Sequence, residues 1–453
     1  TRGLGIDKKG LAGYLATSTK FRNERKSVNS VRTVSVGLIR SVNRASVLAL
    51  IGSSGPIARA DIARRLGLSP ATVTAVTRDL VERGILEVFD QVPSSGGRPA
   101  LRLALVPDAG HVLGVKISPA HLAGVVVDLG GEVVESFERD FDASRPDVVD
   151  RIEAELRPYV DARGDDAPPL LGVGLGVPGL VGIGAPGTVH APSLGWAGLA
   201  LGNVLQTRLG VPVLIENDVN TLAIAERLYG RGRDVADFIT ITIGRGVGLG
   251  IVARGELYRG ADGGAGELGH VTVRRDGPPC YCGRNGCLEA LVADPALLRE
   301  AIDNGVIPTD GTVDDLLKLA DDGDPTARAI YATAGEALGG AVATVVNLLN
   351  PGLVLLSGEG IRAWRHLGPA FIPVLRSQLF GPIADVMVEI DPWDETRWAR
   401  GAAALVFRST FTASLDEDTI DSTVRDRLGA TLGGNGAQIR APVPAPVAGT
   451  SPN

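Results

Sequence analysis

The chain has 453 residues, with 45 basic and 52 acidic side chains and a formal net charge of −7. A hydrophobic content of 44% excludes a mainly disordered protein, and the length predicts two or three domains. Three cysteines are too few for a disulfide framework in a chain this long, so we expect a reducing, cytoplasmic location.

Positive charge is concentrated at the start of the chain. Residues 1–105 hold 17 basic and 7 acidic side chains, which leaves 28 basic and 45 acidic side chains for the remainder. This split indicates an anionic partner for the basic end. Residues 1–37 are polar as well as basic and lack the apolar core of a signal peptide, so we expect a partly mobile segment there.

Residues 38–108 predict a winged helix-turn-helix DNA-binding domain. Ser69 and Pro70 supply the N-cap and the first residue of its third helix, which follows helical patterns at 40–51 and 60–66 and extends to residue 83. Two strand patterns, at 85–92 and 100–106, flank a hairpin tip, the wing. In such domains the third helix enters the major groove, so we expect DNA contacts from Ser69, Thr72, Thr74, Arg78 and the wing residue Arg98. A small helical protein-interaction module is the alternative.

Residues 110–408 predict an α/β body with two lobes. Short apolar runs predict three strands, a helix and a fourth strand at 112–117, 122–128, 131–141, 148–160 and 170–177. A second set of elements begins with strands at 237–243 and 247–253 and reaches a strand at 353–357. This order is that of an actin-like (ribonuclease H-like) body, and we place its lobes at 110–225 plus 395–408 and at 226–394.

Two other segments differ in composition from the rest. Residues 167–206 contain no charged side chain, but five prolines break any long helix, so we expect buried strands and loops rather than a membrane span. Residues 409–453 turn polar and then rich in Gly, Pro and Ala, which predicts a disordered tail.

A histidine and all three cysteines of the chain are spaced as metal ligands. They are His270, Cys280, Cys282 and Cys287. Zn²⁺ prefers four tetrahedral nitrogen and sulfur ligands, and four protein ligands leave no position for a reactive water. The spacing therefore predicts a structural zinc ion, with free buried thiols as the alternative.

A polar run, Glu216-Asn217-Asp218, follows the strand at 213–215 and precedes a helix predicted over 221–229. Polar groups at the carboxyl end of a strand are where α/β folds bind ligands. Asp218 could act as a general base towards a hydroxyl, with Asn217 beside it, but the same run is also a good helix N-cap. The motif alone leaves both interpretations open.

Together these pieces resemble the ROK family of repressors, open reading frames and sugar kinases. The resemblance is carried by Leu175–Gly179, Glu216–Asp218, Gly264–His270 and the cysteine segment that ends at Glu289. With the winged helix in front, it covers about residues 38–408. It implies a sugar site in which the hydroxyls are held by Asn217, Asp218, Glu267, His270 and Glu289.

One departure from the kinase pattern concerns catalysis. Kinases of the family begin the body with a strand and an Asp-x-Gly-x-Thr turn that handles Mg²⁺ and ATP, whereas here Lys116 replaces the Asp and Pro119 intrudes. Arg245 stands in the second phosphate loop where the kinases tend to have Thr. Phosphoryl transfer depends on positioning and charge neutralisation, so we expect no enzymatic activity and regard Asp218 as a vestigial base.

The resemblance implies a sugar-responsive transcriptional regulator, expected to be a repressor of carbohydrate uptake or metabolism genes. We expect a homodimer or homotetramer that binds an inverted-repeat operator, is released by a sugar and has no membrane partner. Two alternatives remain: an active ATP-dependent sugar kinase with a fused DNA-binding head, and a regulator controlled by a protein partner.

Overall fold

The computed structural model describes residues 43–44, 46–48, 50–52, 54–92, 100–161, 167–182, 185–392 and 394–411. All of them belong to one compact unit that starts at Asn43. The predictions for residues 1–37, for the wing tip with Arg98 and for residues 412–453 fall outside the described residues.

A winged helix-turn-helix opens the described part of the chain. Helical residues between 43 and 54 are followed by β1 (Ile57–Ala58), α1 (Arg59–Leu66), α2 (Pro70–Glu82), β2 (Leu86–Val92) and β3 (Ala100–Leu105). The three strands form an antiparallel sheet in the order β1-β3-β2. The predicted cap of α2 is confirmed, because the Ser69 side chain accepts a hydrogen bond from the backbone N–H of Thr72 at 3.1 Å. Strand β1 was not predicted, since two residues are too short to show a pattern.

The first lobe is built on a five-stranded sheet. Its elements are β4 (His111–Ile117), β5 (His121–Asp128), β6 (Val133–Asp140), α3 (Val148–Asp161), β7 (Leu170–Val177), β8 (Leu180–Val181), β9 (Val189–Ala191), β10 (Trp196–Leu199), α4 (Leu201–Leu209) and β11 (Val213–Asn217). The main sheet runs β11-β7-β4-β5-β6, and β8, β9 and β10 form a small separate sheet. The uncharged stretch 167–206 is thus made of short strands and turns, as predicted, with α4 beginning near its end.

The second lobe repeats this arrangement. Helix α5 (Asp218–Tyr229) leads from the first lobe to the second, whose further elements are β12 (Phe238–Ile243), β13 (Val247–Ala253), β14 (Glu256–Leu257), α6 (Glu289–Val292), α7 (Asp294–Asp303), α8 (Val313–Asp322), α9 (Pro325–Leu349), β15 (Leu353–Ser357), α10 (Trp364–Gln378) and β16 (Met387–Ile390). The sheet runs β14-β13-β12-β15-β16. In both lobes the first three strands pair antiparallel and the next two add in parallel. The duplication inferred from element order is confirmed, and so is the actin-like fold.

Short 3₁₀ helices connect several of these elements. They lie at Pro107–Ala109, Pro192–Leu194, Leu268–His270, Glu359–Ala363 and Gly381–Asp385.

The last helix, α11 (Glu395–Phe411), returns to the first lobe and extends three residues beyond the predicted end at 408. It lies with its backbone directly on the sheet. A Cβ on Gly114 of β4 would come within 2.1 Å of the Ala399 carbonyl oxygen, and one on Gly174 of β7 within 1.8 Å of the Ala402 oxygen. Only glycine at these two positions allows the helix to approach so closely.

One hydrophobic core is shared by the winged helix, the first lobe and α11. It contains Leu80 and Leu103 of the winged helix together with Val125 of β5, and it continues through Ala403 and Phe407 of α11. These five residues are buried. Packed interiors are dense and transmit strain, so the winged helix and the body do not move as fully independent parts.

Among the described residues, α9 alone is long and apolar enough to cross a membrane by length and composition. Its inward face, which includes Leu338, Val342 and Val346, is buried in the core of the second lobe. This burial is typical of a central core helix.

Candidate functional site: the cleft between the lobes

A cavity of about 380 Å³ lies between the two lobes. It opens at the carboxyl ends of β4, β11, β12 and β15, the edge at which α/β sheets bind ligands. The fold brings together on its walls all five residues that the resemblance implied for sugar: Asn217, Asp218, Glu267, His270 and Glu289.

Asn217 and Asp218 have different roles at the start of α5. The Asn217 side-chain oxygen accepts hydrogen bonds from the N–H groups of Val219 at 2.9 Å and Asn220 at 3.2 Å, so Asn217 is the N-cap. Its side-chain amide donates to the carbonyl oxygen of Gly179 at 3.0 Å. The helix therefore begins at Asp218 and not at residue 221, and the prediction was wrong there. The cap leaves Asp218 on the cleft wall.

Burial and the neighbouring Lys116 act on Asp218 in opposite directions. Burial raises the pKa of Asp218, and the positive charge of Lys116 opposes that rise, while Glu359 adds to it. Lys116 is only 5% exposed. Its ammonium lies 4.1 Å from the centre of the Trp398 ring, a cation–π contact that helps to keep the charge inside the cleft.

The second lobe contributes two acidic groups and an imidazole. A Glu289 carboxylate oxygen accepts a hydrogen bond from the N–H of Val247 at 3.0 Å, which fixes that side chain at the start of α6. His270 Nε2 lies 3.0 Å from the Tyr281 hydroxyl and 3.9 Å from a Glu267 oxygen. The imidazole edge that carries Nε2 therefore faces polar groups of the cleft.

The opposite edge of the same imidazole belongs to a cluster that can hold a metal ion. The ligand atoms of His270, Cys280, Cys282 and Cys287 all lie within 4.8 Å of one another. His270 Nδ1 is 3.6 Å from Cys280 Sγ, and Cys282 Sγ is 3.6 Å from Cys287 Sγ. Tetrahedral zinc with Zn–S of ~2.3 Å and Zn–N of ~2.0 Å places its ligand atoms about 3.5–3.8 Å apart. The donor set and these separations fit such an ion.

The three thiols differ in how readily they lose a proton. Hydrogen bonds from Arg284 lower the pKa of Cys282 to about 6. Burial raises the pKa of Cys280, and it raises the pKa of Cys287 to about 12. Metal binding requires the thiolate form of each cysteine. The exposed Cys282 is thus the most acidic of the three thiols.

Four of the five predicted DNA-contact residues lie within the described residues. Ser69, Thr74 and Arg78 are exposed, on the side of α2 away from its buried residues, and Thr72 is half-buried. The hydroxyls of Ser69 and Thr72 are 2.8 Å apart, and the Thr74 hydroxyl donates to the Pro70 carbonyl at 2.8 Å. The fifth, Arg98, lies outside the described residues.

The cleft wall also carries polar and aromatic groups that were not predicted as ligands, and four of them are Arg245, Glu359, Tyr281 and Trp398. Arg245 is exposed at the end of β12, and Glu359 follows β15, so both are polar groups after a strand, a signal that the sequence did contain. Tyr281 lies between Cys280 and Cys282, and the spacing of these cysteines indicates a metal site rather than a cleft residue. Trp398, in the last helix, had no local signal at all.

Comparison with known proteins agrees with the fold. The profile of the ROK family matches residues 112–409, and the profile of the MarR family matches residues 41–91. The DNA-binding transcriptional dual regulator NagC of Escherichia coli K12 is 29% identical over 395 residues, which cover 85% of this chain and 97% of NagC. The xylose repressor of Bacillus spizizenii is 29% identical over 326 residues, which cover 72% of this chain and 84% of that repressor.

Two solved structures extend the comparison. A ROK family transcriptional regulator, described as a homolog of the E. coli MLC protein, superposes with a TM-score of 0.71 at 28% identity, covering 87% of this chain and 99% of that one. A ROK family glucokinase from Streptomyces griseus, in complex with glucose and AMPPNP, gives 0.56 at 28% identity, covering 65% of this chain and 99% of that one. The glucokinase covers less of this chain than the regulator does.

Proposed function

This chain belongs to the ROK family, and we propose that it is a sugar-responsive transcriptional regulator, a repressor that a sugar releases from operator DNA. The observation that carries the proposal is the meeting of Asn217, Asp218, Glu267, His270 and Glu289 on one cleft, in a chain that also has a winged helix. Carboxylate and amide groups can each bind two adjacent hydroxyls, and a site built from them rejects ligands that lack those hydroxyls.

The DNA-binding part of the proposal assigns contacts to α2 with its N-cap and to the wing. Ser69, Thr72, Thr74 and Arg78 would face the major groove, with Arg98 at phosphate or in the minor groove. A homodimer or homotetramer would match an inverted-repeat operator whose half-sites are spaced by about one helical turn or a multiple of it. The similarity to transcriptional regulators, which covers 85% of this chain for NagC and 87% for the solved regulator, supports DNA binding as such.

We further propose that the cleft binds sugar without phosphorylating it. The buried ammonium of Lys116 stands where the kinases carry a metal-binding aspartate, and Glu359 adds negative charge near Asp218. The turn after β4 is closed by a hydrogen bond from the Ser118 N–H to the His121 carbonyl at 2.9 Å, with Pro119 between them. The positive charge of Lys116 disfavours Mg²⁺, and the negative charge of Glu359 disfavours the phosphates of ATP. The Ser118 N–H is already hydrogen-bonded and is not free to bind phosphate.

Helix α11 is the element that we expect to couple the cleft to the DNA-binding head. At one end Trp398 lines the cleft and contacts Lys116, and towards the other end Phe407 is buried in the core shared with the winged helix. A sugar that changes lobe closure would displace this helix relative to the head. The sugar must bind the conformation that is free of DNA more tightly than the DNA-bound conformation. Its effect on operator affinity cannot exceed the difference between these two sugar affinities.

The metal cluster is proposed to hold a structural Zn²⁺ with His270, Cys280, Cys282 and Cys287 as ligands. When bound, the ion would fold the cysteine segment into a fixed loop and charge-neutralise its thiolates. Because Nδ1 of His270 is directed to the cluster, Nε2 would carry the ring proton and would donate a hydrogen bond to a hydroxyl in the cleft. We place the protein in the cytoplasm, where thiol ligands stay reduced.

The proposal is tested by selecting duplexes from a random pool with the full-length chain, and then by titrating the selected duplex against hexoses, pentoses and N-acetylated sugars. At least one sugar should bind and weaken duplex binding. Operator binding that no sugar alters, while a transport protein alters it, would favour control by a protein partner instead.

An active kinase is the second candidate, favoured by the similarity to the glucokinase and by the retained Asp218. A coupled assay for ADP release with each sugar that binds would decide it. Turnover that is abolished by Asp218→Asn would establish a kinase, and no ADP above the sugar-free background would exclude one for those sugars.

A further inference from the structure

A buried carboxylate beside the sugar site joins the two lobes. The Glu216 side chain is 8% exposed at the end of β11 and forms an ion pair with Arg259, which follows β14 in the second lobe and is 42% exposed. The guanidinium Nε donates to one Glu216 oxygen. Neither residue is among the sugar ligands that the resemblance implied.

The other oxygen of Glu216 organises the first-lobe half of the site. It accepts hydrogen bonds from the backbone N–H of Asn217 at 2.9 Å and from the side-chain amide of Asn220 at 3.0 Å. These two partners stand on either side of Asp218 in the chain. Glu216 therefore fixes the turn that presents both Asn217 and Asp218 to the cleft.

Arg259 stands at the base of the loop that carries the second-lobe half of the site. Its carbonyl oxygen accepts from the N–H of Ala265 at 3.0 Å, which closes the loop 259–265 just before Glu267. Gly263 brings this loop against the first lobe: its φ is +76°, and a Cβ there would lie 2.5 Å from the Val181 carbonyl oxygen. The loop thus spans the cleft and touches β8.

We propose that Arg259 and Glu216 are positioning residues for the ligand, a clasp that holds the first-lobe groups at a fixed separation from Glu267 and His270. This inference rests on the proposed function, since the ligand it concerns is the sugar. A sugar that contacts both halves binds more tightly when their separation is set in advance, because less freedom is lost on binding. Removing Arg259 also leaves the Glu216 carboxylate buried with a partner missing, which favours separation of the two halves.

The first test needs no sugar. Hydrogen exchange is compared in the full-length protein, in Arg259→Met and in the control Arg254→Met, which removes an exposed arginine of the same lobe before β14. Arg259→Met should speed exchange both in the loop 259–266 and at the amides of residues 217–220, and the control should do neither. Unchanged exchange at residues 217–220 in Arg259→Met would overturn the clasp.

The second test uses calorimetry with whichever sugar the wild-type chain binds. Arg259→Met should raise the sugar Kd about tenfold, equivalent to ~1.4 kcal/mol, and Arg259→Lys should recover most of that loss because it restores the charge. A sugar Kd within twofold of the wild-type value in Arg259→Met would overturn the proposal. If the wild-type chain binds no sugar, the proposed function fails, and hydrogen exchange alone decides whether the clasp exists.

Discussion

Replacing Asp218 by Asn should weaken sugar binding and leave DNA binding unchanged. Asn has the same shape and can still accept the hydrogen bond from the Val219 N–H, which is 3.0 Å long in the native protein, so α5 should keep its start. The charge of the carboxylate is lost. A hydrogen bond to a charged group contributes about 1.5–3 kcal/mol, and 1.4 kcal/mol corresponds to a factor of ten, so the sugar Kd should rise about 10- to 150-fold.

The assay pairs calorimetry of the sugar with fluorescence anisotropy of the selected duplex. Duplex affinity without sugar should stay within twofold of the wild-type value, and the sugar concentration that releases half of the duplex should rise by the same factor as the sugar Kd. Asp322→Asn, an exposed position on the second lobe, is the control and should change neither. Equal loss of both affinities in Asp218→Asn would refute separate sites, and an unchanged sugar Kd would refute Asp218 as a ligand.

Three further predictions concern pH, the metal and coupling. Sugar binding should weaken as the pH falls through the pKa of Asp218, because the protonated carboxyl has no charge. Burial raises that pKa, so the loss of sugar affinity should begin at a higher pH than it would for an exposed aspartate. In Lys116→Met the loss should begin at a still higher pH, because the positive charge that lowers the pKa is removed, and calorimetry across pH measures both effects. Cys282→Ser should lower the zinc content measured by mass spectrometry and raise the sugar Kd, since His270 loses its anchor; full zinc occupancy would contradict this. Phe407→Leu should leave both individual affinities within about threefold and reduce the factor by which sugar weakens duplex binding, whereas an unchanged factor would remove α11 from the coupling route.

Much of the fold could be predicted because burial leaves a local trace in the sequence. Runs such as Val112–Ile117 are apolar since the central strands of both lobes are buried, and the repeated element order then indicates the two lobes. The start of α5 was misplaced by three residues because Asp218 and Asn220 are polar in a way typical of loops. The N-cap alternative for the same run was correct, and Asn217 is the cap that sets this helix boundary.

In the candidate site, too, some residues could be predicted from local sequence and others depend on the tertiary fold. The cluster of His270 with the three cysteines could be predicted from spacing, because the cysteines lie within eight positions of each other. The five residues proposed to bind sugar were predicted from the resemblance alone, and the fold brings them to one cleft. The contact between Glu216 and Arg259, 43 residues apart, and the packing of Trp398 against Lys116 depend on how the lobes meet, and no local pattern reports that.

The most direct measurement of the central claim is the affinity of the full-length chain for its selected duplex with and without a saturating sugar, at one fixed salt concentration. A coupling free energy of about 1–3 kcal/mol predicts that the sugar weakens duplex binding roughly 5- to 150-fold, and that the duplex weakens sugar binding by the same factor. A sugar that saturates the cleft and leaves duplex affinity unchanged would contradict the account.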